Sequence, residues 1–307
     1  MNRAIITGGT GYVGCHLVDA LRRKSVEVVA LARPTAPNDA KEFLRSRGAA
    51  IREVDYTSPA DLSDQFRGCD VWFHLIGSIQ RLRHDSFEHR HREVTARLVA
   101  AARRAGGGRV VFLTALGTAP NANNVYHTTK WEAEREVEQS GIPGALVRPS
   151  LICGRAVGPR DSKLVMRYIR MIRETGRAVV LGKGRNRIQP IDVRDLVECM
   201  VKAAERANTN VASCELGGPE QIEFQGFVRR LANALGLPVE IHYLPLGRAW
   251  VAARWFELTR RVPPVTREQV ALSRVDNVCA LDSIERQFGF PPRSLDASLA
   301  TYAESGH

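Results

Sequence analysis

Ala4-Ile5-Ile6-Thr7-Gly8-Gly9-Thr10-Gly11-Tyr12-Val13-Gly14 decides the fold of this chain. An apolar run enters a glycine-rich turn, and the turn opens a helix whose apolar positions Val13, Leu17, Val18 and Leu21 recur at helical spacing. A second apolar run, Val26 to Leu31, completes a strand-helix-strand unit. Gly8 and Gly11 can take backbone angles closed to other residues and let the main chain approach a pyrophosphate, and Gly14 lets the helix pack closely on the strand. The unpaired N–H groups and positive dipole end at the helix start, with Thr10, Tyr12 and Val13 around them, point at that anion. We therefore expect a dinucleotide phosphate to bind here.

Outward from this unit, strand-like runs at Ala50–Val54, Val71–Leu75, Val110–Thr114 and Ala145–Arg148 alternate with helical patterns at Tyr12–Arg23, Asp39–Arg47, Ala60–Phe66, Glu88–Ala105 and Val125–Ser140. Such alternation marks a parallel sheet covered by helices on both faces. After Pro149 the order changes. A stretch with Gly154, Gly158 and Pro159 precedes a helix at Lys163–Thr175, a turn at Gly182-Lys183-Gly184 and an extended piece from Ile188 to Ile191. Asp192 reads as the N-cap of a helix reaching Ala207, and Cys214 to Pro219 closes a further strand. The expected fold is α/β: a Rossmann-type doubly wound parallel sheet with a smaller C-terminal α/β substrate lobe. Residues 1–153 form the dinucleotide-binding domain, with 188–212 returning to it. Residues 154–187 and 213–307 form the lobe, laid over the sheet edge where ligands of open α/β sheets bind.

The 307 residues, 44% hydrophobic, suffice for a large core. No apolar run reaches the about eighteen residues that span a bilayer, and the first strand begins too close to Met1 for a signal peptide, so a cytoplasmic location is expected. Cys15, Cys69, Cys153, Cys199, Cys214 and Cys279 are far apart and read as reduced, packed thiols. The formal charge of +11 raises the question of an anionic partner. Yet the arginines are spread along the whole chain, and neither zinc-finger spacing nor an aromatic stripe for bases is present, so no nucleic-acid partner is expected.

Tyr126 and Lys130, in Tyr126-His127-Thr128-Thr129-Lys130, stack a phenol and an ammonium on one helix face at i, i+4. A nearby lysine favours the phenolate and brings a tyrosine toward use as an acid or base near neutral pH. With the glycine turn upstream, this pair points to hydride and proton chemistry.

These stretches, together with Val110-Val111-Phe112-Leu113-Thr114-Ala115-Leu116-Gly117, Val147 to Gly154 and Ile188 to Leu196, resemble the short-chain dehydrogenase/reductase superfamily over nearly the whole chain. Within it they resemble the extended and atypical members of nucleotide-sugar-epimerase-like (NAD-dependent epimerase/dehydratase-like) architecture. Ala115-Leu116-Gly117, Leu216-Gly217-Gly218-Pro219 and Val265 to Val270 resemble the group of the NADPH-binding 39-kDa-type accessory subunit of respiratory complex I. The resemblance implies that Tyr126 gives or takes the proton and that Lys130 binds the nicotinamide ribose. It implies that Pro149, Leu151 and Ile152 lie along the nicotinamide. Asp55, with Tyr56 beside it, is to contact the adenine, and Leu75, Ile76 and Gly77 line the adenosine pocket.

One departure concerns the serine or threonine that extended members place just beyond the fifth strand to polarise the substrate. Ala115 and Leu116 stand there and donate nothing, which leaves Thr114 or Thr118 as substitutes. The cofactor's identity hangs on Arg33. An NAD site usually sets an acid near the end of the second strand for the ribose 2′-OH, whereas an arginine pairs with a 2′-phosphate, so NADP(H) is favoured over NAD(H).

His84, His89 and His91 lie among Arg81, Arg83, Arg90 and Arg92, whose charges repel a divalent ion; no metal site is expected, and the cluster reads as the entry to the helix at Glu88–Ala105, with His91 near the cofactor crevice. Leu246 to Arg261 carries Trp250, Val251, Trp255, Phe256 and Leu258 with Arg248, Arg254, Arg260 and Arg261. It reads either as a lobe helix packed on the core or as a contact for a membrane surface, a hydrophobic substrate or a partner complex. Two functions follow from the residues. One is an NADP(H)-dependent oxidoreductase or epimerase-like enzyme acting on a small molecule through Tyr126 and Lys130. The other is a non-catalytic NADP(H)-binding sensor or accessory protein of a membrane-associated complex. Dimers are common in the superfamily, which leaves an oligomer open.

Overall fold

A computed structural model describes residues 1–303 except 57, 59, 78–88, 207–209 and 261–262, and excludes the side chains of 89 and 90. Along the first half run β1 (Arg3–Thr7), α1 (Tyr12–Arg23), β2 (Glu27–Ala32), α2 (Asn38–Ser46), β3 (Ala50–Glu53), β4 (Val71–His74), α3 (Val94–Arg104), β5 (Arg109–Leu113), α4 (Val125–Glu138) and β6 (Gly144–Pro149). The second half adds β7 (Ile152–Cys153), α5 (Lys163–Thr175), β8 (Arg177–Leu181), β9 (Arg187–Ile188), β10 (Ile191–Asp192), α6 (Val193–Glu205) and β11 (Val211–Leu216). It ends with β12 (Ile222–Glu223), α7 (Phe224–Ala234), β13 (Glu240–Leu244), α8 (Leu246–Thr259), α9 (Arg267–Leu272), α10 (Ser283–Phe288) and α11 (Leu295–Ala300).

Seven strands form one sheet in the order β11-β6-β5-β4-β1-β2-β3, and every neighbouring pair is parallel. All C-terminal strand ends therefore meet at one edge, and the reversal of strand order between β1 and β4 opens a crevice there. The pleat sorts the core. Ala4, Ile6, Val28, Ala30 and Phe73 pack with the apolar stripes of α1 and α6, while Ile5, Val29, Leu31, Trp72 and Phe112 pack with α3 and α4. The result is the three-layer, Rossmann-type α/β architecture expected from the sequence. A separate apolar cluster joins α5, β8, α7 and α11 around Tyr168, Phe227, Leu231 and Tyr302.

Local signals place the elements well where a cap or a stop is written in the chain. Asp192 caps α6 by accepting from Arg194 N at 2.8 Å. Gly176, at φ 65°, ends α5 in the left-handed conformation that its missing Cβ permits. Three expectations need correction. The helix expected at Ala60–Phe66 is only a single 3-10 turn, Ser63–Gln65. Asp61 Oδ1 accepts from both Ser63 N (3.0 Å) and Ser63 Oγ (2.7 Å), an alternative to the helical ladder, while Leu62 and Phe66 remain buried at the spacing that suggested a helix. The helix expected from Glu88 begins as α only at Val94, after a π segment at His89–Glu93. Glu88, like Arg81, Arg83, His84, Ala207 and Arg261, lies outside the described residues, as do the side chains of His89 and Arg90. Finally, residues 213–216, expected in the lobe, belong to β11 and close the sheet beside β6.

Candidate active site

The turn after β1 is built without side chains. Gly8 sits at φ +84°, and a Cβ on it would stand 2.9 Å from the carbonyl carbon of Leu75. A Cβ on Gly14 would lie 2.5 Å from the carbonyl oxygens of both Gly8 and Gly9, so α1 rests directly on the turn. Gly11 N donates to Gly8 O at 3.0 Å; unlike Gly8, and against the expectation from the sequence, Gly11 sits at φ −84° in an extended conformation open to any residue, and as the N-cap of α1 it offers no side-chain oxygen to the first-turn amides. No acid stands in that turn either. A stripped, positive helix end of this kind fits a diphosphate. Val13 is buried in the first turn, while Tyr12 reaches away and donates its hydroxyl to Gly154 O, tying the cradle to the loop beyond β7.

Opposite the cradle, the segment after β4 passes close by. Leu75 N donates to Thr7 O at 2.9 Å, and Ile76 and Gly77 follow. A Cβ on Gly77 would stand 2.5 Å from Lys130 Nζ. Tyr126 and Lys130 share one face of α4, are 6% and 2% exposed, and are set in register by the helix cap: Asn124 Oδ1 accepts from His127 N at 2.8 Å. The Lys130 ammonium donates to Ile76 O (3.3 Å) and Leu113 O (3.2 Å) and lies 5.0 Å from the centre of the Phe112 ring. Burial brings Lys130 down to about 8, with Glu134 opposing the shift, and burial pushes the Tyr126 phenol up. This differs from the expectation that lysine would lower the phenol. In the dry interior the two carbonyls and the Phe112 face hold the ammonium, and desolvation dominates at Tyr126.

The remaining sequence candidates fall along the same sheet edge, with different roles open to them. Arg33 is exposed, one residue beyond β2, and Asp55 is exposed beyond β3. Tyr56, by contrast, is buried and donates its hydroxyl to Leu31 O at 2.6 Å, bracing β2. Thr114 follows β5, and its hydroxyl donates to Val147 O at 3.4 Å; Thr118 donates to Ala115 O at 2.7 Å. Both hydroxyls expected to replace the missing serine thus engage backbone. Pro149 ends β6 and accepts from Leu116 N at 2.9 Å, Leu151 accepts from Ile191 N at 2.8 Å, and Ile152 begins β7.

Sequence reasoning missed two features. A buried polar chain runs from Trp72 Nε1 to Thr7 Oγ1 (3.1 Å), on to His74 Nδ1 (2.7 Å), and from His74 Nε2 to Thr95 Oγ1 (2.9 Å), which donates to His91 O. Because Thr95 spends its proton on the His91 carbonyl, it accepts from His74 Nε2, and burial keeps the His74 ring neutral. His91 continues toward α4, with Nδ1 3.0 Å from Thr129 Oγ1 and its ring edge-on to Tyr126 at 5.4 Å. Asn277 is the second feature: its Nδ2 donates to Leu116 O at 3.0 Å and its carbonyl accepts from Ser150 Oγ at 2.8 Å. No local pattern announces either, since the partners are far apart in sequence.

These histidines make stability depend on pH. Burial lowers His74 far below its usual value, lowers His16, and brings His127 from 6.5 to about 4. The unfolded chain binds protons that the folded chain refuses, so stability is complete above the unfolded value and falls as pH drops through the interval toward the folded one. The slope is at most about 1.4 kcal/mol per pH unit for each ring. Urea midpoints should decline between about pH 7 and about pH 5; a flat profile would show the rings charged in the folded protein.

A glycine cradle at the switch point of a parallel sheet, faced by a buried tyrosine and lysine, defines a class: NAD(P)-dependent oxidoreductases and epimerase-like enzymes. The chain belongs to the NAD dependent epimerase/dehydratase family, whose model matches residues 4–215. It is 26% identical to a putative dihydroflavonol 4-reductase of Synechocystis, over 96% of this chain and 92% of that protein. It is also 26% identical to an NAD(P)H azoreductase of Xenophilus azovorans, over 95% of this chain and 94% of the other. In fold it is similar to the UDP-glucose 4-epimerase of Thermotoga maritima, with TM-score 0.76 and 16% identity, over 98% of this chain and 97% of that one. No helix among the described residues is long and apolar enough to cross a membrane.

Proposed function

We propose that this protein is a cytoplasmic NADP(H)-dependent oxidoreductase, or an epimerase-like enzyme of the same chemistry, that acts on a small molecule through Tyr126 and Lys130. The observation that carries this reading is the buried Tyr126–Lys130 face of α4, pressed against Gly77 at the crevice that the glycine cradle opens. We assign residues 1–153 with 188–216 to the dinucleotide and the rest of the chain to the substrate. A bound nicotinamide supplies or accepts the hydride. Tyr126, whose proton is held by burial, gives it to the substrate oxygen, and Lys130 offers its ammonium to ribose hydroxyls and steadies the charge beside the phenol. The named reductase activities of the two relatives support a carbonyl-reducing or otherwise reductive direction.

The preference for NADP(H) rests on Arg33 and on what happens to the acid across from it. Glu53 lies opposite Ala32 in the β2–β3 register, where a carboxylate would repel a 2′-phosphate. Its Oε1 is bound at 2.7 Å by Lys41 Nζ, which is 4% exposed and also donates to Pro34 O at 2.9 Å. The acid is thereby neutralised and Arg33 is left to set the local sign. Arg33→Ala should weaken NADPH binding about 10–100-fold, the worth of a charge-assisted contact, and leave NADH binding little changed. Fluorescence titration of both nucleotides tests this, and equal losses for the two would remove Arg33 from the assignment.

A second reading, a non-catalytic NADP(H)-binding sensor or accessory protein, keeps the cofactor and drops the chemistry. It is favoured by Ala115 and Leu116 and by the backbone-bound hydroxyls of Thr114 and Thr118. Cofactor that survives purification, with no turnover of any offered carbonyl compound, is its expected signature.

A further inference from the structure

Helix α8 inverts the usual order of burial. Its two fully buried residues are Ala249 and Ala253, packed near Val270 of α9, whereas Val251 and Leu258 are 64% and 66% exposed and Trp255 and Trp250 are 56% and 42% exposed. At i, i+1, i+4, i+5 and i+8 from residue 250, the side chains Trp250, Val251, Arg254, Trp255 and Leu258 share one outward face. Small residues inside let the helix lie close to the lobe, and the bulky apolar residues are left outside, where water makes them unfavourable.

The charge around this face has one sign. Arg248 and Arg254 are exposed on the helix, and Arg260 is exposed at its C-cap. The turn after β8, which carries exposed Lys183 and Arg185, passes the first residue of α8, where a Cβ on Gly182 would meet Leu246 at 3.2 Å. The one acid of α8, Glu257, is turned aside and bound by Arg267 N (2.9 Å) and Nε (2.7 Å). Tryptophans and aliphatics among guanidiniums suit the boundary of a bilayer, where indole sits at headgroup depth and arginine meets phosphate.

We propose that α8 docks this protein on an anionic lipid surface, with Trp250, Val251, Trp255 and Leu258 entering the headgroup boundary and the five basic residues facing lipid phosphates. A second copy of the chain is the poorer fit, since a two-fold contact through this face would oppose like charges. Stacked bases are a poorer fit too, because Val251 and Leu258 offer no ring to a base. The lobe is thereby held at the membrane, and Asn277, beyond α9, links it to Leu116 and Ser150 at the site.

The test is flotation of the full-length protein with phosphatidylcholine vesicles, with and without about one-third phosphatidylglycerol. Binding is expected only to the anionic vesicles and should fall with salt. Arg248→Gln, Arg254→Gln and Arg260→Gln together should weaken it about 100-fold, about fivefold for each charge. Trp250→Ser with Trp255→Ser should abolish binding while leaving the thermal midpoint and NADPH affinity unchanged, because both side chains are exposed. Absence of flotation, equal flotation with neutral vesicles, or unchanged flotation of both variants would overturn the proposal. So would a parent dimer that the tryptophan variant converts to monomer, which assigns the face to a second copy.

Discussion

Tyr126→Phe should lower turnover of a carbonyl substrate about 10²–10⁴-fold, the range of a lost general acid, while NADPH affinity stays close to that of the parent. The expectation follows from the place of the phenol. Tyr126 is 6% exposed, so water does not substitute readily for its proton, and the change to phenylalanine removes one oxygen from α4 without opening a cavity. The split between kcat and affinity is the informative part. A packing defect would shift the thermal midpoint and the cofactor titration together, whereas loss of the acid moves kcat alone. Turnover that persists in the variant would take the proton step away from Tyr126 and leave Lys130 as a ribose contact only.

Gly14→Ala should be the most damaging single-methyl change in the cradle. The new Cβ would lie 2.5 Å from two carbonyl oxygens, those of Gly8 and Gly9, and no flexible side chain is available to yield. Either α1 lifts from the turn or the turn shifts, and both displace the amides aimed at the diphosphate. We expect a stability loss of about 1–3 kcal/mol from overpacking. Cofactor binding should weaken about 10–100-fold, as when one charge-assisted hydrogen bond is lost. Gly226→Ala is the control. It lies in α7, its Cβ would meet nothing within 4 Å, and the change should be neutral or slightly stabilising. Calorimetric titration with NADPH on both variants separates the two sites; parental affinity in Gly14→Ala would show that the cradle does not hold the phosphates.

The first half of the fold was legible because each element there is marked locally. Strand cores such as Ile5–Ile6 and Val110–Phe112 are continuous apolar runs, as parallel strands buried on both faces require. The helix cap Asp192 announces α6. What was not legible depends on long-range partners. Residues 213–216 look like any short strand, and only pairing with β6 assigns them to the sheet. Leu62 and Phe66 keep a helical spacing although the backbone between them turns on Asp61. At the site, the i, i+4 relation of Tyr126 and Lys130 could be read directly. The carbonyls of Ile76 and Leu113 that hold the ammonium could not, because they arrive from the segment after β4 and from the end of β5. Lys41 was equally hidden, since its role against Glu53 exists only once β2 and β3 are paired.

The late arrival of β11 has a consequence for synthesis. β6 ends at Pro149, but its neighbour on the outer side begins at Val211, with α5 and α6 lying between. While the ribosome makes that span, the nascent chain carries six strands with a row of open main-chain donors and acceptors along Gly144–Pro149. That row is a template for a strand of a neighbouring nascent chain, so slow translation of this stretch should favour aggregation over maturation.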